Sequence, residues 1–105
     1  MKFDHYESGA LYGIRYEFKK GERLWPHSHI QETSDQAHNI VVLRGAVLFV
    51  GMEQKTLTAG DVFDFDNTRA HSIVALEESV TLHLMLQGKP GSFESYVEEQ
   101  KHGEA

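Results

Sequence analysis

The sequence predicts an all-β fold, either a sandwich or a barrel of short antiparallel strands. Apolar and β-branched residues recur in short runs along most of the chain, and turn-forming residues, several of them glycine, separate these runs. Helical spacing of apolar residues is confined to the C-terminal region. Many short strands with little helical pattern between them are typical of sandwiches and barrels. We expect one domain over residues 1–105, because a chain of 105 residues can bury a single core but not two.

In the first half of the chain, turn signals and a polar stretch divide the predicted strands. Residues 11–18 form the first predicted strand, and Gly21-Glu22 is a turn before the second, residues 23–30. Residues 31–37 are polar apart from Ala37, so we predict a loop there. Residues 38–44 are mostly β-branched or apolar and form a strand that ends at Gly45.

The second half continues the same pattern up to a predicted C-terminal helix. Strands are predicted at 46–50 and 53–57, on either side of a turn at Gly51, and at 62–66, where phenylalanine alternates with aspartate on a half-exposed strand. Residues 71–76 and 80–87 form a final pair. The strand region therefore spans about 11–87. The tail, 91–105, is predicted to contain a short helix over 92–102, because Phe93, Tyr96 and Val97 have helical spacing.

Composition and charge exclude several classes of function. The net charge is −6 with the histidines neutral, whereas nucleic acids and anionic membranes attract clustered lysine and arginine. There is no cysteine, which excludes disulfides, thiolate metal ligands and thiol nucleophiles. The N-terminal region has no apolar signal segment and no apolar run approaches ~20 residues. We therefore expect a cytoplasmic protein with a small-molecule partner.

The histidines are the strongest functional signal. His27 and His29 are two residues apart, so on a regular strand both project from one face. His38 and His71 lie at the ends of other predicted strands, and a folded barrel could bring all four together. Imidazole nitrogen suits zinc, copper, iron and nickel, whereas magnesium and calcium prefer oxygen ligands. The pattern predicts a transition-metal site.

Two motifs resemble those of the cupin superfamily, whose fold is a small double-sheet jelly roll, also described as an antiparallel double-stranded β-helix. In the first motif, Gly21 is followed after five residues by His27-Ser28-His29, and six residues separate His38 from Gly45. In the second, Gly60 is followed at matching spacing by residues 66–68, by His71 and by Ala75. The resemblance covers about residues 11–87 and implies a cupin barrel.

The chain departs from the family pattern in the length of one gap and at four residues. Eight residues separate His29 from His38, where the family has three or four, so the intervening loop is enlarged. His38 takes the position of the family's glutamate. In the second motif Asp66 and Thr68 replace a proline and a glycine, and Ala75 replaces an asparagine.

Position by position, the resemblance implies that His27, His29, His38 and His71 are the metal ligands. Gln36 has the strand parity of His38, and is an alternative ligand or a hydrogen-bonding partner of a ligand. The implied cofactor is one divalent transition metal ion per chain: iron, zinc, nickel or manganese.

Strand alternation also predicts the surroundings of the metal. Trp25 would share a face with His27, and Ile40 and Val42 would share one with His38, so these three residues would form apolar pocket walls. His83 alternates with leucines and is predicted to face away from the main core. Three arginines are candidates to bind a substrate carboxylate: Arg15, Arg44 and Arg69.

Cupins with three or four histidine ligands include iron dioxygenases and zinc-dependent cyclases or isomerases. The resemblance therefore implies a metalloenzyme that acts on a small oxygenated organic molecule, and the absence of a carboxylate ligand favours dioxygenase-type oxidation. The alternatives are a non-redox metal-dependent isomerase or cyclase, and a non-catalytic small-molecule-binding or sensory cupin. We also expect a homodimer, because small cupins commonly pair and strand edges favour being covered.

Overall fold

A computed structural model describes residues 1–27, 34–66 and 70–87, and the side chains at 1–24, 39–65 and 70–85. Within these ranges the chain forms nine strands and no helix long and apolar enough to cross a membrane. The strands are β1 (Lys2–Ser8), β2 (Leu11–Phe18), β3 (Arg23–His27), β4 (Ser34–Arg44), β5 (Ala46–Val50), β6 (Gln54–Thr58), β7 (Val62–Asp66), β8 (His71–Ala75) and β9 (Ser79–Gln87).

The strands form two antiparallel sheets with a shared core. The first sheet has the order β1-β2-β9-β4-β7 and the second has the order β3-β8-β5-β6. Alternate residues of β2 and β8 are buried, as period-two alternation requires of strands with one face in the core. Both sheets contribute buried side chains to one hydrophobic cluster, among them Ile14, Ile40, Val47, Phe49 and Ile73. The predicted all-β jelly-roll class is confirmed.

The strand prediction is wrong at two places: one strand was not predicted, and another begins earlier than predicted. β1 was not predicted, although its backbone pairs with β2 along its whole length, from Lys2 opposite Glu17 to Ser8 opposite Leu11. β4 begins at Ser34, inside the predicted loop, because its backbone pairs with β9 at one edge and β7 at the other. Backbone pairing satisfies N–H and C=O groups whatever the side chains are, so polar segments can be strands. The predicted helix over 92–102 lies outside the described residues.

The prediction for His83 is also wrong. His83 is buried, as are Thr81 and Met85 on the same face of β9, whereas Leu82 and Leu84 lie half-exposed on the outer face. The register pairs His83 with Ile14 of β2 and with a buried isoleucine of β4, and this pairing determines which face is inside. The imidazole Nε2 is 2.9 Å from the Thr81 hydroxyl, so the buried polar ring has a hydrogen-bonding partner.

The sandwich has two distinct ends. At the end that we call the turn end, the turn at Gly45 contacts Ser79, the first residue of β9. Backbone hydrogen bonds join Gly21 to Ala75, Ala59 to Gly45 and Gly60 to Val42 at the same end. The hydroxyl of Ser79 accepts a hydrogen bond from Ala46 N–H at 3.1 Å and lies within hydrogen-bonding distance of two backbone carbonyl oxygens. The opposite end, which we call the histidine end, contains His71 and the backbone positions of His27 and His38.

Candidate functional site

A β-bulge aligns two of the predicted metal ligands. β3 pairs with β8 so that Leu24 lies opposite Ile73 and His27 lies opposite His71. Two residues, Trp25 and Pro26, separate the first pair from the second on β3, whereas one residue separates them on β8, so β3 contains an extra residue. Pro26 has no N–H to give to the ladder, which suits a bulge. The bulge makes His27 the direct backbone partner of His71.

The bulge also affects the prediction for Trp25. That prediction placed Trp25 on the same face as His27 by regular alternation, and the register shift between Leu24 and His27 interrupts the alternation at this point. The side chain of Trp25 lies outside the described residues.

The other sheet places His38 at the same end of the molecule. In backbone register, His38 of β4 lies between Phe65 of β7 and Met85 of β9. The ring of Phe65 lies edge-on to the ring of His71, with 4.6 Å between the ring centroids. Phe65 is therefore the strand partner of His38 in one sheet and a direct neighbour of His71 from the other. The backbone thus brings His27, His38 and His71 to the histidine end.

Several predicted site residues lie outside what the structure describes. His29 and Arg69 lie outside the described residues, as do the side chains of His27, Gln36 and His38. Among the side chains that the structure does describe, no three histidine, aspartate or glutamate residues are grouped so that they could hold a metal ion. The four-histidine ligand set stays a prediction.

His71 itself is buried against two phenylalanines, which both contact a third. It is 3% exposed, and its ring is stacked on Phe49 with 6.2 Å between centroids, in addition to its edge-on contact with Phe65. Phe49 also contacts Phe63 and Phe65, at 4.9 and 4.7 Å between centroids. Such tilted and edge-to-face ring pairs are favourable and orient their members. The cluster holds the imidazole of His71 in one place.

Gly51 directly follows β5, and the absence of a side chain there leaves space for the Phe49 ring. A Cβ at this position would lie 2.8 Å from Cε1 and 3.0 Å from Cζ of Phe49. Any side chain at position 51 would therefore displace the Phe49 ring, which is stacked on His71.

A cavity of about 330 Å³ opens beside this cluster. Its inner wall contains His71 and the three phenylalanines, while Met52, Glu53 and Asp64 are exposed and lie toward solvent. The other lining residues are Gly51 and Ala70. The volume is within the range of small-molecule pockets. The sequence signal for this lining is the alternation of Phe63 and Phe65 with acidic residues, which by itself predicts only a half-exposed strand.

Four predicted pocket residues lie elsewhere. Ile40 and Val42 are buried in the hydrophobic core and do not line the cavity. Arg15 lies on the opposite face of β2 from its buried neighbours, with its guanidinium 3.5 Å from Glu17. Arg44 is exposed at the turn end, six residues along β4 from His38, which is roughly 20 Å at strand spacing. Neither of these two arginines lines this cavity.

Comparisons with known proteins agree with this architecture. No protein-family model matches the chain, and no curated protein does. An RmlC-like cupin protein from Desulfovibrio desulfuricans has a similar solved structure, with a TM-score of 0.71 and 27% sequence identity over 81% of this chain and 80% of that one. The chain belongs to the cupin superfamily.

Two further solved structures share the cupin fold at lower identity. KdgF from Halomonas sp. matches with a TM-score of 0.69 and 24% identity, over 80% of this cupin and 76% of that chain. Bacillus subtilis oxalate decarboxylase, a protein with Mn(II) centers, matches with a TM-score of 0.66 and 23% identity, over 77% of this chain and 22% of that chain. At these identities the likeness shows the fold alone.

Proposed function

We propose that this cupin binds one divalent transition metal at the histidine end and acts on a small oxygenated organic molecule. The observation that carries the proposal is the pairing of His27 with His71, together with the burial of the His71 ring in the wall of a cavity. His29 and His38 complete the proposed ligand set.

The donor chemistry fits such an ion. Imidazole is a good ligand for zinc, copper, iron and nickel, and the chain has no cysteine to form a thiolate site. A similar fold in Bacillus subtilis oxalate decarboxylase has Mn(II) centers, which supports a divalent metal in this kind of barrel. With four neutral ligands the charge of the ion is not compensated by the protein. A bound ion would supply Lewis-acid activation of a substrate oxygen or, if it is iron, oxidation by O₂.

The chain's own residues have two roles in this proposal. The rings of Phe49 and Phe65 fix the orientation of the His71 imidazole and shield it from bulk water. The cavity binds the organic part of the substrate next to the metal ligands. We favour dioxygenase-type oxidation, because the proposed ligand set contains no carboxylate.

Elemental analysis of the purified protein tests the metal site. Wild type should contain about one metal ion per chain, and His71→Ala should reduce this more than tenfold, because removal of a ligand opens the site. His83→Ala is the matched control. His83 is as buried as His71, but it lies on β9 in the other sheet from His71 and is hydrogen-bonded to Thr81 of the same strand. Full metal content in His71→Ala, or equal loss in both variants, would contradict the proposal.

His38 and the reaction type can be tested on the same material. His38→Ala should weaken metal retention; unchanged affinity would mean that Gln36 or water occupies this ligand position. Oxygen uptake by the iron-loaded protein with a catechol or a β-diketone is expected of a dioxygenase. No uptake with iron fully loaded would favour a non-redox isomerase or cyclase, or a binding protein. The homodimer and the cytoplasmic location stay predictions of the sequence.

A further inference from the structure

We infer that the cavity beside His71 accepts the ring of a neutral or cationic aromatic ligand and discriminates against anionic ones. The inference deepens the proposed function. It rests on the proposed metal site only for the part of the ligand that would face the metal; the rest follows from the cavity lining. It names a ligand class from the described lining of the cavity.

The inner part of the cavity favours a flat apolar group. Phe49, Phe63 and Phe65 form a continuous aromatic wall, with neighbouring centroids between 4.7 and 6.0 Å apart, and the wall ends at the ring of His71. Aromatic faces bind other rings by offset or edge-on contacts and attract cations by their quadrupole. A flexible, exposed methionine, Met52, extends the apolar surface toward solvent.

The outer part of the cavity is acidic. Glu53 follows the β5 strand and Asp64 lies on β7, and both are exposed and line the opening. A ligand whose ring reaches His71 must place its other end near these carboxylates. A carboxylate there would be repelled, and an ammonium group would be attracted.

The ammonium group of Lys55 lies close to this wall. It reduces the negative electrostatic potential of the two carboxylates but does not reverse its sign. The ammonium of Lys55 is 5.0 Å from the centroid of the Phe63 ring, but Lys55 is not among the residues that line the cavity. The described lining therefore has two carboxylates and no cationic side chain. Of the three arginines expected to bind a substrate carboxylate, Arg15 and Arg44 lie elsewhere, and Arg69 lies outside the described residues.

Three catechols whose ring substituents are cationic, neutral and anionic test the inference. Dopamine is cationic, 4-methylcatechol is neutral and 3,4-dihydroxybenzoate is anionic, and calorimetry without oxygen gives the Kd of each for the metal-free and the zinc-loaded protein. We expect 3,4-dihydroxybenzoate to bind about tenfold more weakly than 4-methylcatechol, the size of one unfavourable charge pair near a protein surface. Dopamine should bind at least as tightly as the neutral compound.

A charge-matched pair of variants shows whether the two carboxylates are responsible. The double variant Glu53→Gln, Asp64→Asn should bring the affinities of the anionic and neutral compounds within about twofold of each other. The control is Glu77→Gln, Glu78→Gln, which removes the same charge from two exposed residues at the turn end and should preserve the discrimination. Equal or tighter binding of the anion by wild type, or discrimination that persists in Glu53→Gln, Asp64→Asn, would overturn the inference.

The aromatic wall is tested by a second matched pair. Phe65→Leu should weaken binding of 4-methylcatechol severalfold, because Phe65 lines the cavity and its ring contacts the ring of His71. Phe18→Leu is the control for general loss of packing, since Phe18 is buried near the turn end and does not line the cavity. Equal weakening in both variants, or none in Phe65→Leu, would overturn the role of the wall.

The two proposals fail separately. A protein that retains no metal, but still prefers neutral to anionic rings in the metal-free form, would refute the metal site and support the ligand class. A protein that holds one metal per chain and binds all three compounds equally would do the reverse.

Discussion

The two ends of the sandwich are built from different interactions. At the turn end, glycines in left-handed conformations, backbone hydrogen bonds and the hydroxyl of Ser79 join the turns to one another. At the histidine end, the described side chains are held by contacts between phenylalanine rings and His71, beside a cavity. Hydrogen bonds are directional, so those at the turn end hold the turns in one geometry. The cavity at the histidine end leaves side-chain surface that a ligand can contact. We infer that the turn end mainly stabilises the fold and that the histidine end mainly provides its chemistry.

Gly45 should give the largest effect on stability and the clearest test of this division. Gly45 has a φ of 85°, and a Cβ there would overlap the Glu78 carbonyl oxygen and the Ser79 side chain and lie 2.8 Å from Ser79 Cα. Gly45→Ala should therefore lower the free energy of unfolding by about 3 kcal/mol or more, since strain and overlap add. Urea denaturation measures the loss.

Gly60→Ala separates the two causes. Gly60 also has a positive φ, 96°, but nothing lies within 4 Å of its added Cβ, so it should lose only about 1 to 2 kcal/mol from backbone strain. Equal losses in the two variants would show that the packing of Gly45 on Ser79 contributes nothing.

Gly51→Ala should have a smaller effect on stability but a direct effect on the site. The added methyl group would contact Phe49 at 2.8 Å and displace the ring that is stacked on His71. We expect a loss of about 1 kcal/mol from overpacking and about fivefold weaker binding of 4-methylcatechol, measured by urea denaturation and calorimetry.

Gly13→Ala is the control for this substitution. Its added Cβ would lie 3.2 Å from a terminal methyl group of Leu84 on the outer face of the first sheet. Binding should be unchanged in Gly13→Ala; equal weakening in the two variants would refute the special role of Gly51.

The smallest effect should come from Glu22 at the turn end, and it should depend on pH. Glu22 accepts hydrogen bonds from the N-terminal amine and from Lys19 N–H, each at 2.7 Å, and these hold the pKa of its carboxyl below the ordinary 4.5. A lowered pKa adds stability above pH 4.5 that is lost as the pH falls through the folded value.

Glu22→Gln should therefore cost below about 1 kcal/mol at pH 7, and the difference from wild type should shrink at low pH. Urea denaturation at pH 7 and pH 3 measures it. A difference that stays the same or grows at pH 3 would contradict the assignment of this stabilisation to the Glu22 carboxylate.

Most of the strand pattern could be predicted because it depends on local residues. The predicted ranges 11–18, 46–50 and 62–66 agree with β2, β5 and β7, where alternating side chains and adjacent turns act over a few residues. β1 and the start of β4 could not be predicted in this way. Their sequences are polar or mixed, and they become strands because neighbouring strands pair with their backbones.

The candidate site could be predicted only in part, for a related reason. His71 was identified from its spacing, but its phenylalanine neighbours come from β5 and β7, and contacts between strands far apart in the chain are not encoded in either strand alone. The inward position of His83 and the remote positions of Arg15 and Arg44 have the same origin. Alternation shows which residues share a face, but not which face is buried.

The amino-acid sequence by itself determined the all-β class, most strand positions and the histidine spacing typical of a cupin, because side-chain period and turn chemistry are local properties. Tertiary structure alone decided that the bulge at Trp25-Pro26 pairs His27 with His71, and that an aromatic cavity with an acidic opening lies beside His71. Those features depend on register between strands, which is determined by burial and pairing across the whole molecule.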